Sequence, residues 1–162
     1  MRKRVVTAVI AVTAVIFLIF ASLFLRPVRL ELSNSETGKV YRCFPVREGS
    51  EFSVSFIHSV NKSPVTDVFV IRDGKIYADR TVYSAFGAGV QTTLEGDQKL
   101  SYDDDGNMIV SDFNTVFPEV KYIVGTVYDH VLEINGETLS LTELCGRNAH
   151  VRFRLCRRYA VK

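Results

Sequence analysis

Two hydrophobic patterns divide the chain near residue 29. From Val5 to Leu25 the residues are almost all apolar and none is charged. At about 1.5 Å per residue, a helix of this length crosses the ~30 Å hydrocarbon core of a bilayer. Beyond residue 29 apolar and polar residues alternate with a period of two, which is typical of half-buried strands. The sequence therefore predicts a basic start and membrane anchor over 1–29, with its helix at about 5–25, and a β domain over 30–162.

The alternating segments are short and are separated by turn signals. They run over 28–33, 40–46, 52–58, 65–72, 75–86, 107–112, 120–128, 131–134, 137–141 and 151–157. Asp73-Gly74 and Asn135-Gly136 are dipeptides favoured in two-residue type I′ hairpin turns. No segment after the anchor sustains a period of 3.6 residues. This pattern predicts an all-β fold, a sandwich or small barrel of about nine strands.

The flanks of the apolar run predict its orientation. Arg2, Lys3 and Arg4 precede it, and positive residues are retained in the cytoplasm. We therefore expect a single-pass protein of the cell membrane, with a cytoplasmic amino terminus and an extracytoplasmic domain. The alternative is a cleaved secretory signal, but such signals have apolar cores of about 7–15 residues and an Ala-x-Ala-like site. The apolar run is longer, and no small-x-small pair precedes Arg26, so a retained signal-anchor is favoured.

Composition and charge exclude one class of partner. The chain has 11 Phe, 7 Tyr and no Trp, a composition that suits strands. All 18 acidic residues lie within 30–146, whereas 147–162 hold basic residues and no acidic ones. An acidic body is not the footprint of a nucleic-acid-binding protein, so no nucleic-acid partner is expected. The basic end is typical of a strand with arginines facing solvent, and contact with anionic lipid or an acidic partner is the alternative.

Three cysteines predict one disulfide. Outside the cytoplasm thiols tend to pair, so we expect one bridge among Cys43, Cys145 and Cys156 and one remaining thiol. The sequence does not choose the pair. Metal-binding CxxC spacing is absent, and the three histidines have no ligand spacing, so neither a metal nor another cofactor is expected.

The run over 56–70 is the most distinctive segment. It contains His-Ser-Val, then Ser-Pro-Val, then an acidic residue before an apolar strand, and a Phe-Gly-Ala-Gly-Val segment follows at 86–90. Over about residues 30–156 the chain resembles the DUF1850 family, small proteins of unknown function. Asp67 stands where that family more often has Glu. The resemblance implies genes beside tripartite TAXI/TRAP-type transporters, which depend on a periplasmic binding protein, and it implies no reaction.

This segment supplies the candidate site residues, for ligand or partner binding or for organising the loop. They are His58, Ser59, Asn61, Ser63, Asp67, Gly87 and Gly89. His58 ends one predicted strand and Asp67 begins the next, so a loop could bring the carboxylate to the imidazole. Ser59 follows His58 directly and would face the opposite side of a strand, which weakens a Ser-His-Asp arrangement. The favoured interpretation is that the polar side chains hold the loop, and that the two glycines mark a bulge or a close backbone approach.

These observations predict a membrane-anchored, non-enzymatic accessory or binding protein. Its partners would be the lipid bilayer, through the amino-terminal helix, and a transporter or its solute-binding protein. No catalytic residue is assigned, because no nucleophile, base and orienting group occur together. The alternative is a small extracytoplasmic hydrolase or ligand-binding enzyme that uses His58 and Asp67.

Overall fold

The computed structural model describes residues 12–16, 28–60, 62–84 and 94–156. Residues 12–16 are helical and fall inside the predicted membrane helix. Within the described ranges, no helix has the length and apolarity needed to cross a bilayer. The rest of the predicted helix over 5–25 lies outside these ranges, and the anchor therefore stays a prediction.

The described part of the domain consists of twelve strands and a short helix, α1 (Leu141–Cys145). The strands are β1 (Arg29–Asn34), β2 (Val40–Pro45), β3 (Glu51–Ile57), β4 (Pro64–Arg72), β5 (Lys75–Tyr83), β6 (Lys99–Tyr102), β7 (Met108–Ser111), β8 (Val116–Phe117), β9 (Val120–Ile123), β10 (His130–Ile134), β11 (Glu137–Ser140) and β12 (His150–Cys156).

The strands form two antiparallel sheets. The smaller sheet has the order β2-β1-β12-β9, and the larger has the order β11-β10-β3-β4-β5-β7-β6, with β8 paired to β5. Neighbours in sequence are often neighbours in the larger sheet, but β1 and β12 bring the two ends of the domain together. The predicted all-β class is confirmed.

The core lies between the sheets and is built by the alternation in the sequence. Leu30 and Leu32 of β1 are fully buried on the inner face. The Phe52 ring stacks on Phe69 with centroids 5.0 Å apart, and lies 5.4 Å from Phe153 of the other sheet. Burying one such side chain stabilises the fold by about 1.5–3 kcal/mol, so these rings join the sheets through apolar contact.

Both predicted two-residue hairpins are present. Asp73 and Gly74 have φ of 50° and 65°, and Asn135 and Gly136 have φ of 53° and 75°. Two successive positive φ values are what a type I′ turn requires. These turns fix the registers of β4 with β5 and of β10 with β11.

Four segments differ from the sequence prediction. The strand predicted over 120–128 ends at Ile123, and residues 124–129 form a loop. Lys99–Tyr102 and Val116–Phe117 are strands where the alternating pattern predicts none. Leu141 begins helix α1 instead of ending a strand, because the Ser140 hydroxyl accepts a bond from the Glu143 amide at 3.0 Å and caps the helix.

The two ends of the sandwich are distinct. Residue 28 enters β1 where Arg29 pairs with Cys156, and we call this the entry end. At the other end of β1, Asn34 pairs with Val151, and we call this the far end. Because β12 begins beside β9, the loop 124–129 that follows β9 lies at the far end.

Candidate functional site

A cavity of about 430 Å³ opens at the far end of the sandwich. Two loops form it. The first, described over 58–60 and 62–63, lies between β3 and β4, and the second, 124–129, lies between β9 and β10. The cavity is lined by Phe56, Ile57, His58, Ser59, Lys62, Gly125, Thr126, Val127, Tyr128 and His130. This volume accommodates a small ligand or a single large side chain of a partner.

His58 organises the first loop. Its amide donates to the Ser63 carbonyl and its carbonyl accepts from the Lys62 amide, both at 2.9 Å. Its Nδ1 accepts a bond from the Val60 amide at 3.3 Å. Nδ1 is therefore an acceptor, so a neutral His58 ring carries its proton on Nε2.

His130 forms the floor of the cavity. It is the cross-strand partner of Phe56, and the two rings stack with centroids 5.1 Å apart. Its Nδ1 accepts from the Gly125 amide at 3.1 Å. Burial lowers the pKa of His130, and the nearby Asp129 and Asp67 offset only part of that effect. His130 is therefore neutral at pH 7, with its proton on Nε2.

Asp67 joins the two sheets beneath the cavity. Its Oδ2 accepts from the Tyr122 hydroxyl at 2.8 Å, and its Oδ1 accepts from the Thr81 hydroxyl at 2.9 Å. Burial raises the pKa of Tyr122, and the Asp67 charge and this hydrogen bond raise it further. Tyr122 therefore remains a donor at all ordinary pH values and links β9 to β4.

The proposed pairing of His58 with Asp67 does not match the strand register. Asp67 is the fourth residue of β4 and lies opposite Val54. His58 is four residues beyond Val54, which corresponds to about 13 Å along a strand. The sequence interpretation placed Asp67 at the start of its strand, but β4 already begins at Pro64. By this register, Asp67 does not supply the orienting carboxylate of a Ser-His-Asp arrangement.

The second loop is held by contacts that the sequence did not indicate. The Arg147 guanidinium donates to the carbonyls of Thr126 and Val127. Lys62 reaches across from the first loop, with Nζ 5.7 Å from the centroid of the Tyr128 ring. A Cβ on Gly125 would lie 2.1 Å from the Tyr128 carbonyl oxygen, so this turn closes only around glycine.

The remaining candidates fall into two groups. Ser59 lines the cavity. Ser63 is buried, and its carbonyl accepts a hydrogen bond from the His58 amide. Asn61, Gly87 and Gly89 lie outside the described residues.

No disulfide bond joins Cys43, Cys145 and Cys156 in the structure. Burial, and then the neighbouring Cys156 and Glu31, raise the pKa of the Cys43 thiol. Burial raises the pKa of Cys145 to about 11. Because the oxidation of thiols depends on the compartment, the disulfide stays a prediction.

The cavity does not gather metal ligands. In the part of the chain that the structure describes, one group of three possible metal ligands is found. It consists of Glu31, Cys43 and Cys156, whose ligand atoms all lie within 4.8 Å of one another. That group lies toward the entry end, where Cys156 pairs with Arg29. The cavity itself offers aromatic walls, two imidazoles and one ammonium group, a lining that can bind a small ligand or a partner side chain.

The comparisons place the cavity inside a defined family segment. A family model described as a domain of unknown function (DUF1850) matches residues 52–141, more than half of the chain. Both loops of the cavity, together with Asp67 and Tyr122, lie within the match. No curated protein and no solved structure matches the chain.

Proposed function

The chain belongs to the DUF1850 family, and we propose that it is a membrane-anchored, extracytoplasmic accessory domain that captures a partner protein without catalysing a reaction. One observation carries the proposal: exposed apolar side chains surround the cavity at the far end. Val60 is 64 % exposed, Val127 75 % and Tyr128 41 %. An apolar rim around an open cavity is typical of a surface that a partner covers.

The placement of the rim favours a particular kind of partner. If the apolar run over 5–25 anchors the chain, the entry end faces the bilayer and the far end faces away from it. Strands of about six residues separate the two ends by about 20 Å. The rim would thus be presented to a protein outside the membrane. Among the partners implied by the family resemblance, this favours a soluble solute-binding protein over the membrane-embedded transporter.

The cavity supplies the expected mode of capture. Its aromatic floor, formed by Phe56 and His130, suits one apolar or aromatic side chain of the partner. Lys62 at the margin would add a charge-assisted contact to an acidic partner residue. Interfaces concentrate their affinity in such a central anchor and its surrounding apolar ring.

Site-specific crosslinking tests the proposal. A photoreactive residue at Val127 in membrane-embedded full-length protein should crosslink one extracytoplasmic protein, identified by mass spectrometry. The matched control is Val116, a valine of similar chemistry that is 43 % exposed and lies away from the cavity, on β8. Capture should be several-fold stronger at Val127 and should be lost in a Tyr128→Asp variant. Equal capture at the two valines would contradict the proposal.

The enzymatic alternative makes a different prediction for His58. In an accessory domain, His58→Ala should weaken capture or stability and nothing else. If the purified protein hydrolyses a small ester or amide, and His58→Ala abolishes turnover while the fold is intact, the accessory interpretation is wrong.

A further inference from the structure

Glu31, Cys43 and Cys156 meet on the outer face of the smaller sheet. Glu31 of β1 pairs with Cys43 of β2 on one side, and Cys156 of β12 pairs with Arg29, two residues along the same strand. Leu30 and Leu32 point to the core, so these alternate residues point outward. The two sulfur atoms and a Glu31 carboxylate oxygen all lie within 4.8 Å of one another.

Glu31 is buried although it faces outward. Its side chain is 4 % exposed, and its Oε1 accepts from Arg154 Nε at 2.8 Å and pairs with a second guanidinium nitrogen at 2.7 Å. Both Arg154 contacts thus use the same carboxylate oxygen. A buried carboxylate beside two thiols is an unusual grouping for a solvent-facing side of a sheet, where charged side chains are ordinarily hydrated.

The sheet order distinguishes metal binding from a disulfide. β2 and β12 flank β1 on opposite sides, so Cys43 and Cys156 are two strand spacings apart, about 9.5 Å between backbones. A disulfide does not form when the Cα atoms are more than about 7 Å apart. Two thiolates bound to one tetrahedral zinc ion have sulfurs about 3.8 Å apart, which small side-chain rotations would provide here.

We propose that Glu31, Cys43 and Cys156 bind one thiophilic divalent cation, Zn²⁺, with a fourth coordination position open to solvent. Two thiolates, one carboxylate and Zn²⁺ sum to a single negative charge, which the paired Arg154 neutralises. Binding would release the two thiol protons. The three ligands lie toward the entry end, away from the cavity, and outside the segment matched by the family model.

The test uses the full-length protein in detergent, reduced and freed of metal. Cd²⁺ serves as the spectroscopic probe, because cadmium thiolates have a charge-transfer absorption in the ultraviolet, and Zn²⁺ serves as the competitor. Wild-type protein should bind about one equivalent. Cys43→Ser and Cys156→Ser should each weaken binding at least about 100-fold, because each removes a ligand. Glu31→Gln should weaken Cd²⁺ binding about tenfold or more, because the loss of a ligand should cost at least as much affinity as the loss of a residue that only hydrogen-bonds to a ligand.

Cys145→Ser is the matched control, since Cys145 belongs to helix α1 and not to the cluster. It should bind Cd²⁺ as wild type does, and Zn²⁺ should raise its melting temperature as it raises that of the wild type. Zn²⁺ should not raise that of Cys156→Ser. Equal loss in all three serine variants, or absence of a charge-transfer band in wild type, would overturn the proposal. Recovery of a Cys43–Cys156 disulfide from protein isolated without reductant would also overturn it.

Discussion

Tyr122 and Asp67 form a polar link between two otherwise apolar faces. The hydroxyl of Tyr122 in the smaller sheet donates to the carboxylate of Asp67 in the larger sheet at 2.8 Å. The ring of Tyr122 also packs beside Phe56, His130 and Phe153. A part-buried carboxylate depends on such donors, because it loses hydration when the sheets close over it.

Replacing Tyr122 with Phe should therefore destabilise the domain. The ring contacts remain, but Asp67 loses one of its two hydroxyl donors, so the free energy of unfolding should fall by about 1–3 kcal/mol. Urea denaturation followed by circular dichroism measures this. The control is Tyr128→Phe, at an exposed ring of the cavity rim, which should change stability by less than about 0.5 kcal/mol. Equal effects of the two substitutions would contradict the link.

His130 should make the stability depend on pH. Its pKa in the folded protein lies below the ordinary 6.5, and protonation of Nδ1 would break the bond from the Gly125 amide. As the pH falls below about 6.5, the unfolded chain takes up this proton first, so the free energy of unfolding decreases. His130→Asn keeps an acceptor near the Nδ1 position and does not titrate. Its stability should fall less than that of wild type between about pH 7.5 and pH 5; parallel profiles would refute this assignment.

At the scale of elements, the sequence predicts local strands and turns well. The segment predicted over 65–72 is β4 with Pro64 added, and the Asn135-Gly136 turn closes β10 onto β11 as predicted. These features depend on neighbouring residues, whose alternation and turn chemistry are visible in the chain. Strands β3, β4 and β5 of the larger sheet are neighbours both in sequence and in the sheet, so two short connections set their order.

The cavity could not be predicted in the same way. It arises because β9 ends at Ile123, although the residues that follow continue an apolar pattern. Its floor joins Phe56 to His130, which are far apart in sequence, and no local signal specifies which strands pair across such a distance. The expected contact between His58 and Asp67 fails for a related reason. It takes Asp67 as the start of its strand, whereas β4 begins three residues earlier, at Pro64, and the register places Asp67 opposite Val54.

Gly125→Ala tests whether the loop 124–129 shapes the cavity. Its new Cβ would meet the Tyr128 carbonyl oxygen, so the backbone must move, at a cost of about 1–3 kcal/mol. Crosslinking from Val127 should fall several-fold. Gly38→Ala is the control. No atom lies near the position of the new Cβ, so the only cost comes from placing an alanine at a φ of +73°. That change should cost about 1 kcal/mol and leave crosslinking unchanged. Unaltered crosslinking in Gly125→Ala would show that the shape of loop 124–129 does not affect partner capture.

At the scale of the whole molecule, the fold places different chemistry at its two ends. The far end carries the cavity and its apolar rim. The entry end receives residue 28 and lies near the cluster of Glu31, Cys43 and Cys156. When a protein is tethered to a membrane at one end and binds a partner at the other, the tether raises its effective concentration for partners at that membrane. A large interface is then not needed.

The proposed partner capture at the far end requires that the domain lies outside the cell with its entry end toward the bilayer. In a variant whose three native cysteines are replaced by serine, Val127→Cys should react with a membrane-impermeant maleimide on intact cells. Lys3→Cys, before the apolar run, should react only after lysis, because positive residues hold that end in the cytoplasm. Recovery of the Lys3→Cys label in the membrane fraction, on the same chain as the domain, would also show that the anchor is retained and not cleaved. Labelling of Val127→Cys only after lysis would refute the proposed topology and, with it, an extracytoplasmic partner.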